Sequence, residues 1–216
     1  MFKNKSNQIR TFFIIWMILI CIFEVNVPTH FLILNTFLAY VPIEINFWIQ
    51  KPQIKHRQWF WLFFIIWLLF YPNTPYLLTD LFHLSLLNPY NQQGLIRLSI
   101  SMWTSYTFLI ISALGCTLIG MAGLNQIAGV IANRFSTSQA WFRNVIIIIL
   151  TILSSIGVFI GRFLRIHTIY LFANPQLFIR PLIRMWQPKM IAFVVLFTLV
   201  QLFINWVVDL ITDDRQ

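Results

Sequence analysis

Apolar residues run along this chain in long blocks, separated by short polar stretches. The first block, Thr11–Phe23, follows Lys3, Lys5 and Arg10. A second runs from about His30 to Ile49, and a third opens at Trp59 with WFWLFFIIWLLFY. The fourth spans about Leu98 to Gly123, the fifth Asn144 to Leu164 and the sixth Met190 to Leu210. These runs approach the ~20 residues that carry a helix across ~30 Å of hydrocarbon. The pattern predicts an all-α, polytopic transmembrane helical bundle of about six spans, forming a single transmembrane domain over residues 1–216 with no soluble domain. The opening resembles the start of a secretory signal. However, the following EVNVPTH has no small-x-small cleavage pattern, which predicts a retained first helix.

The third block is broken. Two prolines stand in YPNTPYLLTDLFHL, and an Asp and a His follow at helical spacing. From Trp59 to Tyr71 a helix rises ~20 Å, which puts Pro72 about two-thirds of the way across. Pro72 has no backbone N–H and disfavours helix in the residue before it. Thr74 and Pro75 read as a fresh start, with Thr74 as N-cap and Pro75 at the first helical position. Unwound backbone at membrane depth is tolerated only inside protein or against a water-filled cavity, so PNTP predicts a cavity. From that restart Tyr76, Asp80, His83 and Leu87 lie along one face, with Asp80 and His83 one turn apart. The plain alternative is that both groups meet water at the interface.

The fifth block ends in SSIGVFIGRFLR, where Ser154, Gly157, Gly161 and Arg165 form one stripe and Arg162 lies beside it. Gly157 and Gly161 make a GxxxG pair, which lets another backbone approach closely. Counting residues puts Arg162 and Arg165 at the same outer level as Asp80 and His83, whereas Glu44 and Asp209 fall nearer the inner face. Two guanidinium groups hold a phosphate or carboxylate by planar bidentate contacts, and a helix start at Thr74 would add backbone donors. The plain alternative is that the arginines snorkel to headgroups.

Composition supports a membrane protein: 59% of residues are hydrophobic and only 10% charged, against about 25% charged in soluble domains. The net charge of +9 is scattered through short loops, which reports orientation and lipid attraction and argues against nucleic acid. Six crossings with a cytoplasmic N-terminus put Lys3, Lys5, Arg10, Lys51, Lys55, Arg57, Arg134, Arg143 and Arg215 inside. Outside would lie Arg97, Arg162, Arg165, Arg180, Arg184 and Lys189. The bias favours both termini cytoplasmic. The last outer loop departs from it, so a partial crossing in TIYLFANPQLFI is an alternative. Cys21 and Cys116 fall at different depths within apolar blocks, which predicts small buried hydrophobes and no disulfide.

Three stretches carry a family resemblance. LAYVPIEI (Leu38–Ile45), WLLFYPNTPYLLTDLFHL (Trp67–Leu84) and GRFLR (Gly161–Arg165) with the later NP (Asn174–Pro175) resemble the DUF1361 family of predicted bacterial integral membrane proteins. The resemblance covers most of the chain and implies a bacterial plasma membrane location without a mechanism. In the family pattern GRFLR is followed by a stretch of the kind W-N-S-W-D. Here IHTIY places Tyr170 where that Asp would fall, which weakens an enzymatic reading.

The expectation is therefore an outward-facing polar pocket of Asn73, Thr74, Asp80, His83, Arg162 and Arg165. It would bind an anionic headgroup or lipid-linked phosphate, in a transport or envelope-assembly component whose partners are membrane lipids. No catalytic residue is assigned, and neither a metal nor a cofactor is expected. One competing reading is a structural protein whose aromatic helices pack against a membrane-protein partner. Another is a metal-dependent hydrolase or transferase using Asp80 and His83, with His167 as a further ligand.

Overall fold

The computed structural model describes residues 2–24, 31–55, 58–135, 140–164 and 181–213. Lipid offers no partner to backbone N–H and C=O groups, so each apolar block satisfies its own by coiling into a helix. Helices α1 (Phe2–Glu24) and α2 (Phe31–Ile49) are followed by a single turn, α3 (Pro52–Lys55). The broken block gives α4 (Trp59–Phe70), α5 (Asn73–Asp80) and a 3-10 helix over Leu81–Leu87. Then come α6 (Ile100–Arg134), α7 (Ala140–Phe159), which runs on as a π-helical turn over Ile160–Leu164, and α8 (Pro188–Asp213). Among the described residues, six segments are long and apolar enough to cross a membrane: Lys5–Phe23, Phe31–Ile49, Trp59–Leu87, Ile100–Arg134, Ala140–Leu164 and Pro188–Thr212. The six-span, all-α expectation holds.

One boundary differs. The fourth block does not end at Gly123, because apolar residues keep their helical spacing beyond it. Met121, Leu124, Ile127, Ala128 and Ile131 are all buried, and that burial outweighs the ~1 kcal/mol cost of an interior glycine. The resulting 35-residue helix is ~52 Å long, well beyond the hydrocarbon thickness.

The chain divides into two compact units, Met1–Gly120 and Met121–Gln216. The first is centred on Phe13, Trp16, Ile20, Leu32, Ala39, Ile43, Leu77, Leu109, Ala113 and Cys116. Within it the Trp16 indole N–H reaches Ser112 Oγ at 2.9 Å, as a buried indole requires. Along α4, Phe60, Phe64, Trp67 and Tyr71 stack in succession. In the second unit Phe159, Phe163, Phe193 and Phe197 form a ring cluster across α7, its π-helical turn and α8. The two cysteines are free; Cys116 is buried as expected, but Cys21 is exposed.

Candidate functional site

The break in the third span is repaired by local bonding. Pro75 cannot donate to Tyr71 O, so the Thr74 N–H bonds Tyr71 O instead, at 2.9 Å. Phe70 O thereby loses its usual donor, Thr74, and accepts the Asn73 side-chain amide at 2.9 Å. The backbone never unwinds: Tyr71 and Pro72 both keep right-handed helical dihedrals. This corrects the expected N-cap. Pro72 holds the capping position with no side-chain bond, α5 starts at Asn73, and Thr74 Oγ1 donates to Ala39 O at 3.2 Å.

The expected cavity at PNTP is also corrected. Thr74, Pro75, Leu77 and Asp80 are buried, and Gly120 of α6 meets Thr74 so closely that a Cβ there would overlap Thr74 Cγ2. Thr117 Oγ1 lies 3.5 Å from Thr74 O. The kink is therefore accommodated by packing against protein, the other environment in which such backbone is tolerated.

One turn further, Asp80 is fully buried. Its Oδ2 accepts the Asn35 side-chain amide of α2 at 2.8 Å, and its Oδ1 lies 3.6 Å from His83 Nδ1. The same Nδ1 is 3.0 Å from Asp80 O. A carbonyl oxygen can only accept, so Nδ1 carries the proton. Phe31 packs against the imidazole, with centroids 4.3 Å apart and the rings tilted by 36°. Asp80 and His83 do interact, as their spacing predicts, and Asp80 is buried where the plain alternative had it meeting water. His83 stays partly exposed. Sequence reasoning missed Asn35 and Phe31; a polar residue in an apolar block was the only signal for Asn35.

Arg162 lies in the π-helical turn of the second unit and is partly buried. Such turns are frequent at functional sites. Arg165, His167, Tyr170 and Asn174–Pro175 lie outside the described residues, as does the TIYLFANPQLFI segment. Among the described residues no group of three His, Cys, Asp or Glu side chains is placed to hold a metal.

Two further ionic clusters were not foreseen. Glu44 lies nine residues beyond Asn35 on α2, ~14 Å along the helix. It accepts Arg10 Nη2 at 2.7 Å and Arg10 Nε at 2.9 Å, a bidentate pair. Tyr40 Oη and Trp48 Nε1 donate to the same carboxylate at 2.8 and 2.9 Å. The signal was present: Tyr40, Glu44 and Trp48 recur every fourth residue. In the second unit Asp209 Oδ1 accepts Asn125 Nδ2 at 2.9 Å and Arg143 Nη2 at 3.3 Å.

The DUF1361 family model, described as a protein of unknown function, matches residues 34–204. The chain belongs to the DUF1361 family. The match takes in most of α2, the broken third span and the Arg162 turn, so Asn35, Asp80, His83 and the arginine turn fall within the DUF1361 region. No curated protein and no solved structure matches the chain.

Proposed function

We propose that this DUF1361 protein resides in the bacterial plasma membrane with both termini cytoplasmic. There it binds an anionic headgroup or lipid-linked phosphate at an outward-facing polar site, as a component of transport or envelope assembly. The observation that carries this reading is the Asp80–His83 pair. The Asp80 backbone carbonyl accepts Nδ1–H of a partly exposed histidine beside a fully buried carboxylate, which orients the ring and leaves Nε2 to meet an anion. Within the second unit, Arg162 and Arg165 are proposed as anion donors from their spacing in GRFLR alone. Asn73 and Thr74 support the site through the helix break, since their side chains bond Phe70 O and Ala39 O. The charge distribution of the first three loops supports the orientation.

Native mass spectrometry of the protein purified with phosphatidylglycerol or phosphatidylcholine tests this. A charge-assisted hydrogen bond is worth ~1.5–3 kcal/mol, so His83→Ala should weaken phosphatidylglycerol retention about 10- to 100-fold and leave phosphatidylcholine unchanged. Equal retention by parent and His83→Ala contradicts the reading. A structural or partner-binding role is the second reading, favoured by the close packing of Thr74 on Gly120. It predicts that Asp80→Asn and His83→Ala lower thermal stability without touching lipid retention.

A further inference from the structure

The second unit carries a polar seam that the Asp80 site does not use. On α8, Gln201, Asn205 and Asp209 recur every fourth residue, with Thr198 extending the same face. Arg143 and Ser155 of α7 contact this face, and Thr151 and Ser154 are buried on the same helix. Two contacts fix the register: Arg143 with Asp209 and Ser155 with Thr198 and Gln201. They are twelve residues apart on α7, so the seam runs ~18 Å, more than half of a ~30 Å hydrocarbon core.

The hydrogen bonding along the seam is incomplete in a consistent direction. Ser155 Oγ donates to Thr151 O at 3.0 Å, which uses its one proton. It then accepts Thr198 Oγ1 at 2.9 Å and Gln201 Nε2 at 2.8 Å. With the Ser155 proton on Thr151 O, Gln201 presents its amide nitrogen to Ser155. Gln201 Oε1, Asn205 Oδ1, Asn125 Oδ1 and Ser154 Oγ are buried with no hydrogen-bond partner among the described residues. Gln201 and Ser154 are fully buried, and Asn205 is 7% exposed. Three of these four atoms are carbonyl oxygens. They call for hydrogen-bond donors or a cation, and an anion would not serve. Uncompensated polar atoms within a membrane span mark hydrated or ion-conducting paths. At one end Asp209 and Arg143 are each more than a third exposed, and their opposite charges cancel, so no net positive barrier stands there.

We propose that the α7–α8 seam is a hydrated path that admits small monovalent cations from the Arg143–Asp209 end to mid-membrane, where Ser154 and Gln201 line its terminus. The proposal is independent of the anion site, because it rests on different residues and a different unit.

Silver(I), a small monovalent cation that captures thiols, reads this directly. Single cysteines are introduced into a variant with Cys21 and Cys116 replaced by Ala, reconstituted in vesicles and exposed to Ag+ from either face. Residual thiol is counted by mass spectrometry after alkylation. Ser154→Cys is nearly isosteric and serves as the mid-membrane probe, with Asn205→Cys as the second. Phe203→Cys and Leu199→Cys replace exposed side chains on the opposite side of α8 and sample lipid. Thr212→Cys, exposed beyond Asp209, marks the face from which the seam opens. Ag+ should capture both seam thiols roughly 100-fold faster than the lipid-facing ones, the scale of the penalty that a charge meets at that depth in hydrocarbon. Capture should come from the face that labels Thr212→Cys. Capture of Ser154→Cys no faster than of Phe203→Cys, while Thr212→Cys reacts, overturns the proposal.

Discussion

Replacing Gly120 by Ala tests how the broken third span is held. An alanine would ordinarily stabilise this helix by ~1 kcal/mol over glycine. Here the added Cβ would overlap Thr74 Cγ2 and lie 3.2 Å from Thr74 Cβ and 3.4 Å from Thr74 Oγ1. Turning the Thr74 side chain to move the methyl away breaks its hydrogen bond to Ala39 O, and that strands a buried hydroxyl at ~1–3 kcal/mol. Pushing α6 away instead costs a similar ~1–3 kcal/mol in lost packing. Either route outweighs the propensity gain, so Gly120→Ala should lose about 1–2 kcal/mol net, roughly 2–8 °C in apparent melting temperature for a chain of this length. Two comparisons isolate the cause. A Cβ on Gly129, in the same helix, meets nothing within 4 Å, so Gly129→Ala should be neutral or raise the melting temperature. Thr74→Ser removes the offending methyl, so the double variant with Gly120→Ala should lose less than the sum of the single losses. Thermal unfolding in one detergent and at one scan rate reads the four variants against the parent. Equal shifts for Gly120→Ala and Gly129→Ala, or strict additivity in the double variant, would refute the reasoning.

Glu44 collects donors from Arg10, Tyr40 and Trp48, so Glu44→Ala should cost ~1–3 kcal/mol and exceed the loss in Arg10→Gln. A double-mutant cycle between the two should show coupling of at least ~0.5 kcal/mol, and thermal unfolding without it would reduce the pair to incidental proximity. Topology is checked by single cysteines at Gln53 and Asn91, both exposed. In intact cells an impermeant maleimide should label Asn91→Cys and spare Gln53→Cys, and labelling of Gln53→Cys contradicts cytoplasmic termini.

The number and kind of spans were legible because block length alone decides them in lipid. The end of α6 was not, since Gly123 looks like a stop only until the burial of Leu124, Ile127 and Ala128 is known. PNTP announced a break correctly, yet the same letters suggested an opening where the structure has a packed kink. What fills it is a glycine and a threonine from α6, some 45 residues away, and local spacing carries no trace of them. Asp80 and His83 could be paired from sequence because they lie one turn apart. Asn35 and Phe31 complete that cluster from another helix, so they could not be placed. The seam residues were hidden for a related reason: Gln201, Asn205 and Asp209 form a polar stripe within α8, but only the Ser155 and Arg143 contacts show what it faces.

The most direct test of the anion site is the protonation and shift of one imidazole. Nitrogen-15 NMR of histidine-labelled protein in lipid nanodiscs resolves it among the four histidines, with His83→Gln identifying the signal. The account predicts a protonated Nδ1, held by Asp80, and an Nε2 resonance that moves when phosphatidylcholine nanodiscs are replaced by phosphatidylglycerol. An Nδ1 without a proton, or an Nε2 indifferent to the anionic lipid, would contradict it.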